Sequence, residues 1–408
     1  MSQDVKQVLA DRVDGERESL LALSHRVHGL AETAFEEFDS SKATAAALDE
    51  RFDIQMGVAG LETAFSASYG TGELVIGICA EYDALPGVGH ACGHNIIAAA
   101  AVGAGNALAQ IADELGITVK VFGTPAEEGG GGKIFMLDAG VFDGVHAAMM
   151  VHPTPFELPI LSCLAVANLS VEVTGVAAHA SAFPQMGRNA ADALTVSQVA
   201  IGLLRQHLPS TARVHGIVTN GGEAPNIVPR RATGSWYVRA EDLAALAEIE
   251  PRVRDCFDAG ALATGTTVEV TAAAPHYSEF HHDPDLVEVY AANARAIGRD
   301  ETLLPDSPPR SELVGRTAST DMANVSLVIP TIHPTLGLPT TAVNHQAEFA
   351  AACITADADR AVRDGALAMA RTVVDAAAPG ALRDRLMNRT PPSRSQQQLL
   401  AALVANEF

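Results

Sequence analysis

The sequence predicts an α/β protein in which an open sheet is interrupted by a smaller inserted β-α-β-β-α-β unit. Three observations carry this. Apolar runs at 73–79, 117–122 and 146–151 alternate with helix-like segments, and each run ends in polar residues. Past residue 165 the order changes to strand, helix, two strands, helix, strand, a compact split unit able to fold on its own. With 408 residues the chain is also too long for one ordinary core, so two domains are expected. The expected division is 1–164 with 277–408 for the first domain and 165–276 for the second.

In chain order, residues 2–50 read as two helices, one over 17–27 with apolar positions at helical spacing and one over 40–48 behind Asp39 and Ser40 as caps. Residues 61–69 alternate like a strand, and 73–79 has the small and β-branched composition of a buried parallel strand. The Ala/Gly-rich segment 96–115 reads as a buried helix, too weakly apolar to span a bilayer. Strand 117–122, helix 133–138 and strand 146–151 complete the first α/β stretch. The inserted unit reads as strand 168–174, helix 189–207, strands 213–220 and 232–239, helix 241–259 and strand 266–272. Beyond it come a helix at 285–297, a Pro-rich loop at 303–310, a strand at 327–332 and an Ala-rich helix at 347–376.

Composition narrows the function classes. The net charge of −22 argues against a nucleic-acid partner and against anionic membrane surfaces. Five cysteines, at 79, 92, 163, 256 and 353, form no C-x-x-C pair, so a reducing, cytoplasmic setting is expected. The N-terminus lacks the basic-then-apolar pattern of a secretion signal.

The most informative stretch is 80–95, A-E-Y-D-A-L-P-G-V-G-H-A-C-G-H-N. Glu81 and Asp83 appear where a central strand should stay apolar, and His90, Cys92 and His94 follow a Pro-Gly turn. Imidazole and thiolate are ligands that a borderline-soft divalent metal prefers. Further donors fall at the ends of other expected strands: Glu127 and Glu128 before four glycines, His152 before a proline, and His345. Singly, each has a bland reading as a loop or core residue. If the strands are parallel and adjacent, all converge on one rim, with more donors than one tetrahedral zinc needs. They suit a pair of metals sharing a bridging ligand. In the Glu127-Glu128 pair, one carboxylate can coordinate while its neighbour takes a proton from water.

These residues bring the chain to a resemblance. The segments A-E-Y-D-A-L-P-G-V-G-H-A-C-G-H-N, G-T-P-A-E-E-G-G-G-G-K, M-V-H-P, A-A-H-A-S-A-F-P, P-N-I-V-P and S-T-D-M-A-N-V-S, with the His345 region, occur in the order of metallopeptidase family 20. The chain resembles most its subfamily of aminobenzoyl-glutamate hydrolases, indole-acetyl-amino-acid amidohydrolases and aminoacylase-like dipeptidases. The resemblance implies a mixed-sheet, zinc-peptidase-like catalytic domain with a ferredoxin-like lid and dimerisation domain inserted. It implies two divalent ions, Zn or Mn with Co also open, bridged by Cys92 and held by His94, Glu128, His152 and His345. Glu127 would be general base as metal-bound hydroxide attacks the amide, with Asp83 orienting the ligands. His179 would stabilise the oxyanion, often across a homodimer, and Asn226 would hold the substrate carboxylate. Substrates implied are N-acyl amino acids, dipeptides or aminobenzoyl-glutamate. Many relatives have Asp where this chain has Asn95, but the dipeptidase branch shares the Asn. Two other readings remain: Cys92 as a nucleophile, which leaves Glu127, Glu128 and His345 idle, and a non-catalytic binder, for which no base or ligand is missing.

Overall fold

The computed structural model describes residues 3–299 and 318–389. The Pro-rich loop expected at 303–310 and the tail at 393–408 lie outside the described residues. Among the described residues the chain forms two compact units, one from the chain up to Ser162 together with that from Phe280, the other Cys163–Glu279.

The first unit opens with three helices, α1 (Gln3–Gly15), α2 (Arg17–Leu30) and α3 (Phe38–Ala46), one more than the two expected before residue 50. Strands β1 (Asp53–Met56), β2 (Phe65–Tyr69) and β3 (Leu74–Ala80) follow, then α4 (His94–Ala109), α5 (Ala112–Leu115), β4 (Ile117–Gly123) and α6 (Gly132–Asp138). Next come β5 (Ala147–Met149) and β6 (His152–Thr154). The single helix expected at 96–115 is thus two, separated at Gln110 and Ile111. β1 pairs antiparallel with β2, and β2 antiparallel with β4. β3 is the centre of the sheet, parallel to both β4 and β5, as its apolar run requires.

The second unit contains β7 (Ala165–Thr174), α7 (Ala190–Leu204), β8 (Arg213–Asn220), β9 (Arg231–Ala240), α8 (Leu243–Thr264) and β10 (Thr267–Ala272). Its antiparallel sheet has the order β10-β7-β9-β8, so the two β-α-β halves interleave in the ferredoxin-like manner. Asn189 and Asp242 cap its two helices by accepting from the Ala191 and Ala245 backbone N–H groups.

Back in the first unit are α9 (Pro284–Ala296), α10 (Met322–Val328), β11 (Thr331–Ile332), β12 (Thr335–Gly337), α11 (Ala347–Ala352), α12 (Ala356–Ala377) and α13 (Ala381–Met387). β11 extends the sheet beside β5 in parallel, giving the order β1-β2-β4-β3-β5-β11, and β12 pairs in parallel with β6. Two expectations are corrected here. The strand expected at 327–332 is cut to its last two residues: Leu327 and Val328 end α10, and only Thr331 and Ile332 pair. The helix expected at 347–376 is broken because Thr355 caps α12, accepting from the Ala358 N–H, rather than continuing α11.

Every residue of α4 is buried, with α2 and α12 packed against it and β3 beneath. This explains its alanines and glycines, since larger side chains would hold the layers apart. The close packing pins the N-terminus of α4 at the C-terminal end of β3, where an open α/β sheet places its ligand site.

Candidate metal centre

The site begins where β3 ends. Glu81, Tyr82 and Asp83 continue the strand direction and are all buried. The chain then loops back and enters α4 through Gly93, whose φ is +77°. A side chain at that position would lie 2.8 Å from Pro153 Cγ, so glycine is required on both counts. His94, the first residue of α4, is thereby turned inward, with Nδ1 2.9 Å from Asp83 Oδ1. An ionised carboxylate accepts only, so this contact puts a proton on Nδ1 and turns Nε2 to the cavity as the atom that would meet a cation. Asp83 Oδ2 accepts from the Glu128 N–H at 2.9 Å and so ties the two site loops together. Burial alone would raise Asp83, but His94, the Glu128 N–H and Lys133 hold it below the usual carboxylate range.

The second loop leaves β4 at Thr124 and carries Glu127 and Glu128. Glu127 is 6% exposed, and burial together with the charges of Glu81 and Glu128 pushes its carboxyl well above the usual range. Burial also raises Cys92, with Glu128 adding to the effect. From the far side, β6 presents His152, whose Nε2 lies 3.5 Å from Cys92 Sγ. His345 completes the ring from a turn with φ +72°, an uncommon conformation for a residue with a side chain. Its N–H donates to the Ala91 carbonyl at 2.8 Å, and its Nε2 is 3.6 Å from Glu128 Oε2.

The donor atoms form two trios, each within 4.8 Å: Cys92, His94 and His152, and Cys92, Glu128 and His345. Cys92 belongs to both. In addition His94 Nε2, Glu81 Oε2 and Glu128 Oε1 are buried without a hydrogen-bond partner. Buried polar atoms are costly unless satisfied, and here they converge. Two trios sharing one thiol, around converging buried polar atoms, fit two divalent cations with a bridging thiolate. We expect Asp83→Asn to weaken metal binding about 10–100-fold. Asp83 accepts on both oxygens, and the amide would turn an NH₂ toward one of those donors. Titration against a chromophoric chelator reads this, and an unchanged affinity would remove Asp83 from the support of the site.

Two buried residues, Lys133 and Asp321, escaped the sequence reading as functional parts. Lys133 Nζ donates to Glu81 Oε1 at 2.5 Å and to Asp321 Oδ1 at 2.7 Å, and its backbone N–H donates to Asp321 Oδ2 at 2.9 Å. Burial would lower Lys133, but Asp321 and Glu81 raise it well above its usual value, while burial pushes Asp321 up to about 6. A third trio, Glu81, His94 and Glu127, joins this cluster to the metal site, with His94 Nε2 3.4 Å from Glu81 Oε2. The signal was a lone lysine opening the apolar run I-F-M-L and a lone aspartate before M-A. Asn95 stays out of the ligand set: its Nδ2 donates to Ser24 Oγ at 2.9 Å and to the Cys353 carbonyl at 3.0 Å.

His90 packs against His28, ring centroids 5.9 Å apart, rather than joining either trio. His333 is buried edge-on to His152 with centroids 5.3 Å apart, and neither ring nitrogen has a hydrogen-bond partner. His179 and Asn226 belong to the other unit. There they are exposed neighbours, the Ala180 N–H donating to the Asn226 carbonyl at 3.0 Å. His179 Nδ1 accepts from the Ala182 N–H at 3.2 Å, which places the ring proton on Nε2.

Comparison with known proteins gives the family and the fold. Residues 77–373 match peptidase family M20/M25/M40. The chain is 36% identical to the Xaa-Arg dipeptidase of Mus musculus, over 97% of this chain and 94% of that protein. It is also 36% identical to one of the p-aminobenzoyl-glutamate hydrolase chains of Escherichia coli (strain K12), over 65% of this chain and 60% of that one. Among solved structures, an aminobenzoyl-glutamate utilization protein from Klebsiella pneumoniae shares the fold with a TM-score of 0.71 at 18% identity, covering 91% of this chain and 100% of that one. A dinuclear metal binding peptidase of the M20 family from Bacillus subtilis does so with a TM-score of 0.64 at 22% identity, covering 89% and 98%.

Proposed function

Because the chain belongs to peptidase family M20/M25/M40 and is a metal-dependent amidohydrolase, we propose that it is a dipeptidase releasing a basic C-terminal amino acid. The observation that carries this is the likeness to an Xaa-Arg dipeptidase over nearly the whole of both chains. The net charge of −22 supports it, since such a field favours approach of a cationic substrate.

Cys92, His94 and His152 would hold one ion, and Cys92, Glu128 and His345 the other, Zn or Mn being the metals we expect. Bound there, the ions would polarise the scissile carbonyl and lower the pKa of water. Glu127 then accepts the proton of the attacking water on its carboxylate and returns it to the departing amine. Asp83 keeps the His94 ring aimed. His179 Nε2–H would donate to the oxyanion and the Asn226 amide to the substrate carboxylate, making the second unit a lid. We also assign that unit to homodimer formation. Support comes from the exposed Val199 and Leu203 of α7 and the exposed Ile217 of β8, an edge strand. The five scattered cysteines, none in a C-x-x-C pair, support a cytoplasmic setting. No described helix is long and apolar enough to cross a membrane.

The test is a hydrolysis screen after loading with Zn or Mn, using dipeptides ending in Arg or Lys, aminobenzoyl-glutamate and N-acetyl amino acids. We expect the largest kcat/KM on a dipeptide ending in a basic residue, and loss of all activity on chelation. A larger kcat/KM on aminobenzoyl-glutamate would overturn the substrate assignment. Turnover that survives chelation but dies on thiol alkylation would return Cys92 to the role of nucleophile.

A further inference from the structure

Resting on the reading of Glu127 as base, we propose that Glu37 is a positioning residue for Glu127 and Glu128. Glu37 is wholly buried at the start of α3, far along the chain from either metal trio. One of its oxygens, Oε1, accepts from two backbone N–H groups: Phe35 at 3.0 Å and Ala126 at 2.9 Å.

Those two residues share an unusual property. Phe35 has φ +63° and Ala126 φ +60°, both in the left-handed region that side chains disfavour. Such conformations persist only where the surroundings over-determine them. A single carboxylate oxygen thus clamps two strained turns to each other, and one of them is the residue immediately before the base.

The clamp is closed from other directions. The Ala126 carbonyl accepts from the N–H groups of Gly130 at 2.9 Å and Gly131 at 2.8 Å, so the loop bearing Glu127 and Glu128 folds back on Ala126. The Phe35 ring covers that fold, since a side chain at Gly130 would come within 2.6 Å of Phe35 Cε2. The same N-terminal turn also steadies the first site loop: the Ala84 N–H, next to Asp83, donates to the Glu32 carbonyl at 2.8 Å. Glu37 therefore sits where the two loops that carry base, ligands and ligand support are registered to a common strut.

Without the acceptor, two N–H groups lose their partner and the turn at Ala126 loses what holds its φ. The base then shifts relative to the attacking water, and displacements of about 1 Å cost about 100-fold in rate. The substrate contacts assigned above lie elsewhere, so KM should change little.

The test compares Glu37→Met, which keeps the volume and removes the acceptor, with Glu37→Gln, which keeps an acceptor oxygen. Metal content, Tm, kcat and KM are measured for each, with Glu127→Gln alongside. We expect Glu37→Met to lose about 10- to 100-fold in kcat with KM within about twofold and two metals still bound, and Glu37→Gln to recover most of it. Wild-type kcat in Glu37→Met, a loss that only tracks lost metal, or a Gln variant as impaired as the Met variant would each overturn the proposal. Should Glu37→Met fail to fold, the same comparison is read against Ala126→Gly, where glycine takes the left-handed φ unaided. If Glu127→Gln itself turns over normally, the base assignment has failed. If Glu127→Gln is inactive while Glu37→Met is normal, only the role of Glu37 has.

Discussion

Glu127→Gln is expected to lower kcat by about 10²–10⁴-fold while leaving metal content unchanged. Glutamine keeps the shape and the hydrogen-bonding reach of the side chain but cannot take up a proton. The substitution leaves the two trios that share Cys92 intact, because Glu127 belongs only to the third, with Glu81 and His94. It also leaves Glu128, whose carboxyl burial raises, in its place between Cys92 and His345. Metal affinity should therefore fall only modestly, and elemental analysis of the loaded variant separates lost chemistry from lost metal. A variant that turns over at the parent rate would take Glu127 out of the reaction. One that is inactive because it binds no metal would make it a ligand instead.

Lys133→Met carries the second large effect, on stability. Lys133 is completely buried between Glu81 and Asp321, and it is the ammonium group within hydrogen-bonding distance of both. Methionine matches its length but leaves two buried carboxylates facing each other. Breaking a buried pair from one side costs about 3–5 kcal/mol, because the orphaned charge must be neutralised or hydrated. We expect a loss of that size in urea denaturation of the metal-loaded protein. Restoring neutrality with Glu81→Gln and Asp321→Asn in the same chain should regain much of it. A Lys133→Met protein with the parent midpoint would show that the cluster contributes nothing net to the fold.

The sequence made the parts of the site with unusual composition legible. Cys92, His94, Glu127 and Glu128 stand next to glycines and prolines in otherwise apolar surroundings, where a polar side chain demands a reason. The central strand at 74–80 was readable because a strand buried on both faces is apolar throughout. What escaped depended on partners far away in the chain. Glu37 looks like one acid among several in E-T-A-F-E-E, and only the fold places Ala126 against it. Lys133 and Asp321 are unremarkable until they meet. The strand expected at 327–332 shrank to Thr331 and Ile332 for a local reason: V-S-L-V fits helix and strand alike, and here it ends a helix.

His345 has a consequence beyond its place in the second trio. The other four donors, Cys92, His94, Glu128 and His152, all precede the inserted unit, and His345 follows it. An ion held by Cys92, Glu128 and His345 would therefore act as a crosslink that closes the long excursion of chain carrying the whole insertion. Closing so long a loop is entropically costly, and a cation that binds only the closed form offsets that cost in proportion to its free concentration. Resistance to proteolysis near residue 345 should then rise and fall with metal supply, as it would with oxidant for a disulfide. The cation would then do the work of a covalent staple.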